Sequence, residues 1–65
     1  MPIITVSGPA LEVERKRELA RALTKAASET YRRPPEHIIV VIHENPPENV
    51  AIGGKLVADR QSGSP

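Results

Sequence analysis

Residues 37–44 read HIIVVIHE, and the alternation in this stretch decides the fold. On an extended chain Ile38, Val40 and Ile42 share one face, while Ile39, Val41 and His43 share the other. Both faces are apolar at their centre, as in a strand that is covered on both sides. The chain supplies one long helix, which can cover one face. The other face is predicted to meet a second copy of the chain.

Immediately upstream, Pro34-Pro35 ends a helical pattern predicted from Leu11 to Arg32. Leu19, Leu23, Ala26, Ala27 and Thr30 form its apolar stripe, with Val13, Ala20, Ala22 and Tyr31 at the flanks. The opposite face carries Glu14, Arg17, Glu18, Arg21, Lys25, Glu29 and Arg32, simplest to read as a solvated face. Glu12–Lys16 and Lys25–Glu29 stand four residues apart, close enough to pair on a helix. Further upstream, PIITVS (residues 2–7) alternates as a strand, with Ile4 and Val6 on one face and Ile3, Thr5 and Ser7 on the other. Between them GPALE turns the chain, with Pro9 stiffening the entry.

Downstream, NPPEN (residues 45–49) is a rigid loop, and VAIGGKLV (residues 50–57) reads as a short hairpin turning at Gly53-Gly54. The tail from Asp59 is polar and expected to fray. The fold class is therefore α+β: a β-α-β unit with a small C-terminal hairpin, one domain over residues 1–65, with residues 60–65 as tail. A long helix between two strands favours a parallel pair with a right-handed crossover. Two strands are marginal in water, so the sheets of two chains are expected to join.

Composition points the same way. The 65 residues contain no Phe, no Trp, one Tyr and no Cys. A chain this small needs a disulfide, a metal or a partner to hold it. Without cysteine there is no disulfide, and His37 and His43 cannot close a structural zinc site alone. Oligomerisation is the remaining device. A net charge of +1 with mixed signs gives no nucleic-acid face, and one aromatic gives no base-stacking platform. No apolar run is long enough for a membrane span, and no signal peptide opens the chain, so a cytoplasmic location is expected.

The opening MP, the element order, the length and the segment NVAIGGKL (residues 49–56) together resemble the 4-oxalocrotonate tautomerase family. The combination GPALEVERKREL (residues 8–19) with ENPPENVAIGGKL (residues 44–56) looks most like its DmpI-like branch. The resemblance covers Pro2 to Asp59. It implies the tautomerase/MIF-like fold, a homohexamer built as a trimer of dimers, and no metal or organic cofactor. It also implies enol–keto tautomerisation of small unsaturated 2-oxo acids, with an amino-terminal proline as the catalytic base.

Pro2 carries that implication. With Met1 removed its ring nitrogen becomes a secondary amine; with Met1 attached it is an amide without a basic lone pair. The family's other positions transfer less well. Its second-strand arginine, which binds a substrate carboxylate, falls at Ile39; its arginine before the helix falls at Leu11; its aromatic near the proline falls at Val50. Ile39 and Val50 are then read as apolar substrate-binding walls, joined by Val41 and Ile52 around the amine. A carboxylate still needs a cation. Arg15 and Lys16, at the helix start, are the first candidates, reaching a site in their own or a neighbouring chain. Arg33 and Arg60 are weaker ones. For Arg15 and Lys16 the plainer reading is a solvated charge.

His43 is read as a packed interface residue or a second acid–base group, His37 as a loop residue, and Glu44 as a strand end or the activator of a water molecule. Two alternatives to a tautomerase remain: a hydratase or dehalogenase using a protonated Pro2, and a non-catalytic oligomeric module. The first resembles a family branch whose glutamate falls at Ile52 here, which counts against it.

Overall fold

The structure, a computed structural model, describes residues 1–63. Strand β1 (Ile3–Gly8) leads to helix α1 (Val13–Tyr31), a 3-10 turn over Pro35–His37, and strand β2 (Ile39–Glu44). A second 3-10 turn over Pro47–Asn49 precedes β3 (Ala51–Ile52), β4 (Lys55–Leu56) and helix α2 (Val57–Gly63). β1 and β2 pair in parallel, Ile3 opposite Ile39 through Gly8 opposite Glu44. β3 and β4 form the antiparallel hairpin, with Ala51 opposite Leu56.

The alternation in both long strands is the one their sequences predict. Ile4 and Val6 of β1, with Val40 and Ile42 of β2, turn towards the helix side and are half-buried. Ile38 just before β2, at 9% exposure, and Ala27 of α1, at 8%, are the most enclosed residues of the core. The other face stays open: Ile3 is 63% exposed, Ile39 37% and Val41 38%.

Three features differ from expectation. First, α1 is shorter at both ends. Glu12 is extended (φ −65°, ψ 152°) and caps the helix, so it starts at Val13, two residues later than predicted, and the Leu11 N–H ahead of it donates to a Glu44 carboxylate oxygen at 3.2 Å. At the other end Arg32 adopts a left-handed conformation (φ 56°, ψ 49°). The N–H groups of both Arg32 and Arg33 then bond to the Ser28 carbonyl, which caps the helix as a Schellman-type turn. Second, the inward stripe of α1 is rotated from the predicted one. Lys16, Leu19, Ala20, Leu23, Thr24, Ala27 and Ser28 are buried or half-buried, while Ala26, Thr30 and Tyr31 are exposed. Small polar side chains fit beside a two-stranded sheet as well as alanines do, and apolar periodicity cannot tell them apart. Third, the polar sequence after the hairpin is helical through Gly63. Its start is fixed by a Val57 N–H bond to the Val50 carbonyl at 2.8 Å, and Val57 and Ala58 are half-buried. Of the expected tail, residues 64 and 65 lie outside the described residues.

The hairpin turns on two glycines with positive φ, 61° at Gly53 and 85° at Gly54. A two-residue loop whose twist matches the strands requires both, and a side chain at either would strain the backbone. The hairpin and α2 pack on the Pro47–Asn49 turn and extend as an arm from the β-α-β body. The chain measures 47 × 24 × 15 Å, with a radius of gyration of 15.7 Å against about 11 Å for a compact chain of this length. It exposes 5228 Å², about 1,100 Å² more than a self-contained monomer of its mass.

Candidate active site

A cleft of about 390 Å³ opens where β1 and β2 begin, lined by Met1, Pro2, Arg33, Glu36, His37 and Ile39. Parallel pairing brings these residues together, because it places the starts of both strands side by side. The Ile39 N–H donates to the Pro2 carbonyl at 3.0 Å, so Pro2 belongs to the sheet ladder in all but its nitrogen. Pro2 is half-buried, and Ile39 forms an apolar wall beside it.

The remaining lining residues come from the connection between α1 and β2. The left-handed turn at Arg32 reverses the chain, and Pro34-Pro35 then carries it into the 3-10 turn. That turn is closed by His37 N–H to the Pro34 carbonyl at 2.9 Å and Ile38 N–H to the Pro35 carbonyl at 3.0 Å. It delivers Glu36 and His37 to the cleft, with Arg33 from the turn before it. The site thus joins a potential secondary amine, one guanidinium, one carboxylate, one imidazole and an apolar wall.

Of the residues singled out in the sequence, Pro2 and Ile39 meet here. Lys16 and Arg15 do not: Lys16 Nζ lies 2.5 Å from Glu44 Oε2, at the far end of β2, about 16 Å along the strand from Ile39. That contact, with the Leu11 N–H, holds the Glu44 carboxyl below its ordinary range. Val50 is half-buried between the second 3-10 turn and β3, outside the cleft's lining. His43 is exposed on the open sheet face opposite Ser7. Arg60 donates to the Ile52 carbonyl at 3.3 Å and clamps the hairpin. His37 and Glu36 are the lining residues that the sequence did not flag for chemistry. The Pro-Pro pair and the residues after it were the only available signal, since a rigid turn beside a strand start fixes what it carries.

The profile of the tautomerase enzyme family matches residues 2–60. The chain belongs to the tautomerase family. A probable tautomerase of Bacillus cereus is 41% identical over 63 residues, spanning 92% of this chain and all of that protein. The crystal structure of DmpI from Archaeoglobus fulgidus is 48% identical, covers 89% of this chain and all of its own, and superposes with a TM-score of 0.82. TomN, a 4-oxalocrotonate tautomerase homologue of the tomaymycin biosynthetic pathway, is 37% identical over 94% of this chain and 95% of its own, with a TM-score of 0.85. The family resemblance read from the sequence is thereby established, as are the β-α-β fold with its hairpin and the assignment to isomerases. Pro2, half-buried at the start of β1, lines the cleft of this tautomerase-family chain.

Proposed function

We propose that the chain, once Met1 is removed, catalyses enol–keto tautomerisation of small unsaturated 2-oxo acids with the Pro2 nitrogen as general base. The observation that carries this reading is the placement of Pro2: half-buried, tied into the ladder through its carbonyl, and set against Ile39. A free α-amino group titrates near about 8. Partial removal from water disfavours its charged form and keeps a larger share of it neutral at pH 7. The neutral nitrogen takes the enol O–H proton as the C=O bond forms. The electron pair of the former C=C bond then takes that proton back at carbon. Atoms and charge balance without a cofactor.

The open sheet face and the extended arm support an assembly with further copies of the chain, a homohexamer on the family pattern. Arg15, Lys16 and Val50 can serve the Pro2 cleft only across such an interface, from a neighbouring subunit.

The test compares three proteins: the chain with Met1 removed (verified by intact mass), Pro2→Ala, and a form that retains Met1. Ketonisation of a generic enol is followed as a function of pH. The trimmed chain should gain activity as rising pH deprotonates a single group. Pro2→Ala and the Met1-retaining form should each lose about 100-fold or more in kcat/KM. Turnover that survives in both altered proteins would overturn the proline mechanism and favour the non-catalytic reading of Pro2.

A further inference from the structure

We propose that Arg33 anchors the substrate carboxylate in the Pro2 cleft, and that the cleft is built for acids carrying one carboxylate rather than two. The inference rests on the tautomerase reading of Pro2 given above.

Three observations lead to the anchor. Arg33 is the one Lys or Arg side chain lining the cleft. Its guanidinium makes no ion pair or side-chain hydrogen bond among the described residues, unlike Lys16 with Glu44, Arg17 with Glu14 and Arg60 with the Ile52 carbonyl. Its backbone is held at both ends by Ser28: the Arg33 N–H donates to the Ser28 carbonyl at 3.1 Å, and Ser28 Oγ donates to the Arg33 carbonyl at 2.5 Å. The stem of the side chain therefore leaves a fixed point, with Pro34 following, and little backbone freedom is lost when a ligand binds. An uncommitted guanidinium on such a mount offers the planar fork that matches a carboxylate.

Glu36 sets the other half of the inference. It lines the same cleft and forms no ion pair with Arg33. A second carboxylate entering beside the first would meet this like charge with no second arginine to offset it. Ile39 offers the rest of the substrate an apolar wall. The geometry selects a 2-oxo acid enol with one carboxylate near Arg33, its hydroxyl towards Pro2 and an apolar remainder.

The experiment uses the Met1-trimmed protein and three probes: phenylenolpyruvate with one carboxylate, its methyl ester with none, and 2-hydroxymuconate with two. Arg33→Ala should raise KM for phenylenolpyruvate about 10- to 100-fold. It should leave KM for the ester within about twofold, and Arg33→Lys should recover part of the loss on the acid. Glu36→Gln should improve 2-hydroxymuconate relative to phenylenolpyruvate by about tenfold. Equal changes on acid and ester, or no change on the acid, overturn the anchor. Should Arg33→Ala fail to fold, Arg33→Lys decides: a KM rise confined to the acids supports the anchor, and none overturns it. An unchanged Arg33 variant alongside an inactive Met1-retaining form overturns the anchor alone. Activity persisting in both Pro2→Ala and the Met1-retaining form overturns the proline reading itself, and the anchor with it.

Discussion

Lys16 Nζ lies 2.5 Å from Glu44 Oε2, and that same oxygen accepts the Leu11 N–H at 3.2 Å. The end of β2 is thus tied to the start of α1 by one carboxylate. The hydrogen bond from Lys16, followed by that from the Leu11 backbone, holds the Glu44 carboxyl below its ordinary range. A carboxyl held lower in the folded chain than in the unfolded one stabilises the fold above its unfolded pKa, and that contribution disappears as pH falls through the depressed folded value. Glu44→Gln should therefore lower the urea midpoint at neutral pH, and the gap to the parent chain should close in acid. Unfolding curves at several pH values and one protomer concentration measure this. A gap of equal size at every pH would assign the effect to packing instead.

Arg32 sits in the left-handed region at φ 56° without being glycine. That conformation costs a side-chain-bearing residue about 1 kcal/mol. Arg32→Gly should stabilise the chain by about 0.5–1 kcal/mol, read as a rise in urea midpoint with an unchanged slope. Because the turn keeps its shape, KM should not move. A fall in stability would show that the Arg32 side chain makes a contribution larger than the relieved strain.

Val41 lies at the centre of the open sheet face, with Ile39 on its own strand and Ile3 on β1. If copies of the chain cover this face, an ionised side chain there has to be buried without a partner. Val41→Asp should shift the assembly to a smaller mass in sedimentation equilibrium and reduce activity in proportion. A mass identical to that of the parent chain would show that the interface lies elsewhere.

The strands, the helix and the hairpin were legible because each has a strong local pattern. The two-residue period of residues 37–44 separates Ile38, Val40 and Ile42 from Ile39 and Val41 as the structure does. Gly53-Gly54 announces its turn, and both residues take the positive φ that the turn needs. The cleft was half legible. Pro2 and Ile39 are adjacent because parallel strands start together, which follows from the element order. Arg33, Glu36 and His37 reach them through a left-handed residue at Arg32, which no glycine or asparagine marks in the sequence. The rotation of the α1 stripe was hidden for a different reason. Thr24, Ser28 and Lys16 are half-buried at the helix margins, where a two-stranded sheet leaves room for polar side chains, so polarity there carries little information.

The bond from the Ile39 N–H to the Pro2 carbonyl has a consequence for the maturing polypeptide. Chain ends ordinarily wander, and a reactive group on one samples many positions. Here the first carbonyl after the ring is already pinned and the ring itself rotates little, so cleavage of the leading methionine would unveil the lone pair at a location settled when the protein folded. Under the proposed mechanism, processing would switch on a prearranged atom, with no later search for its place.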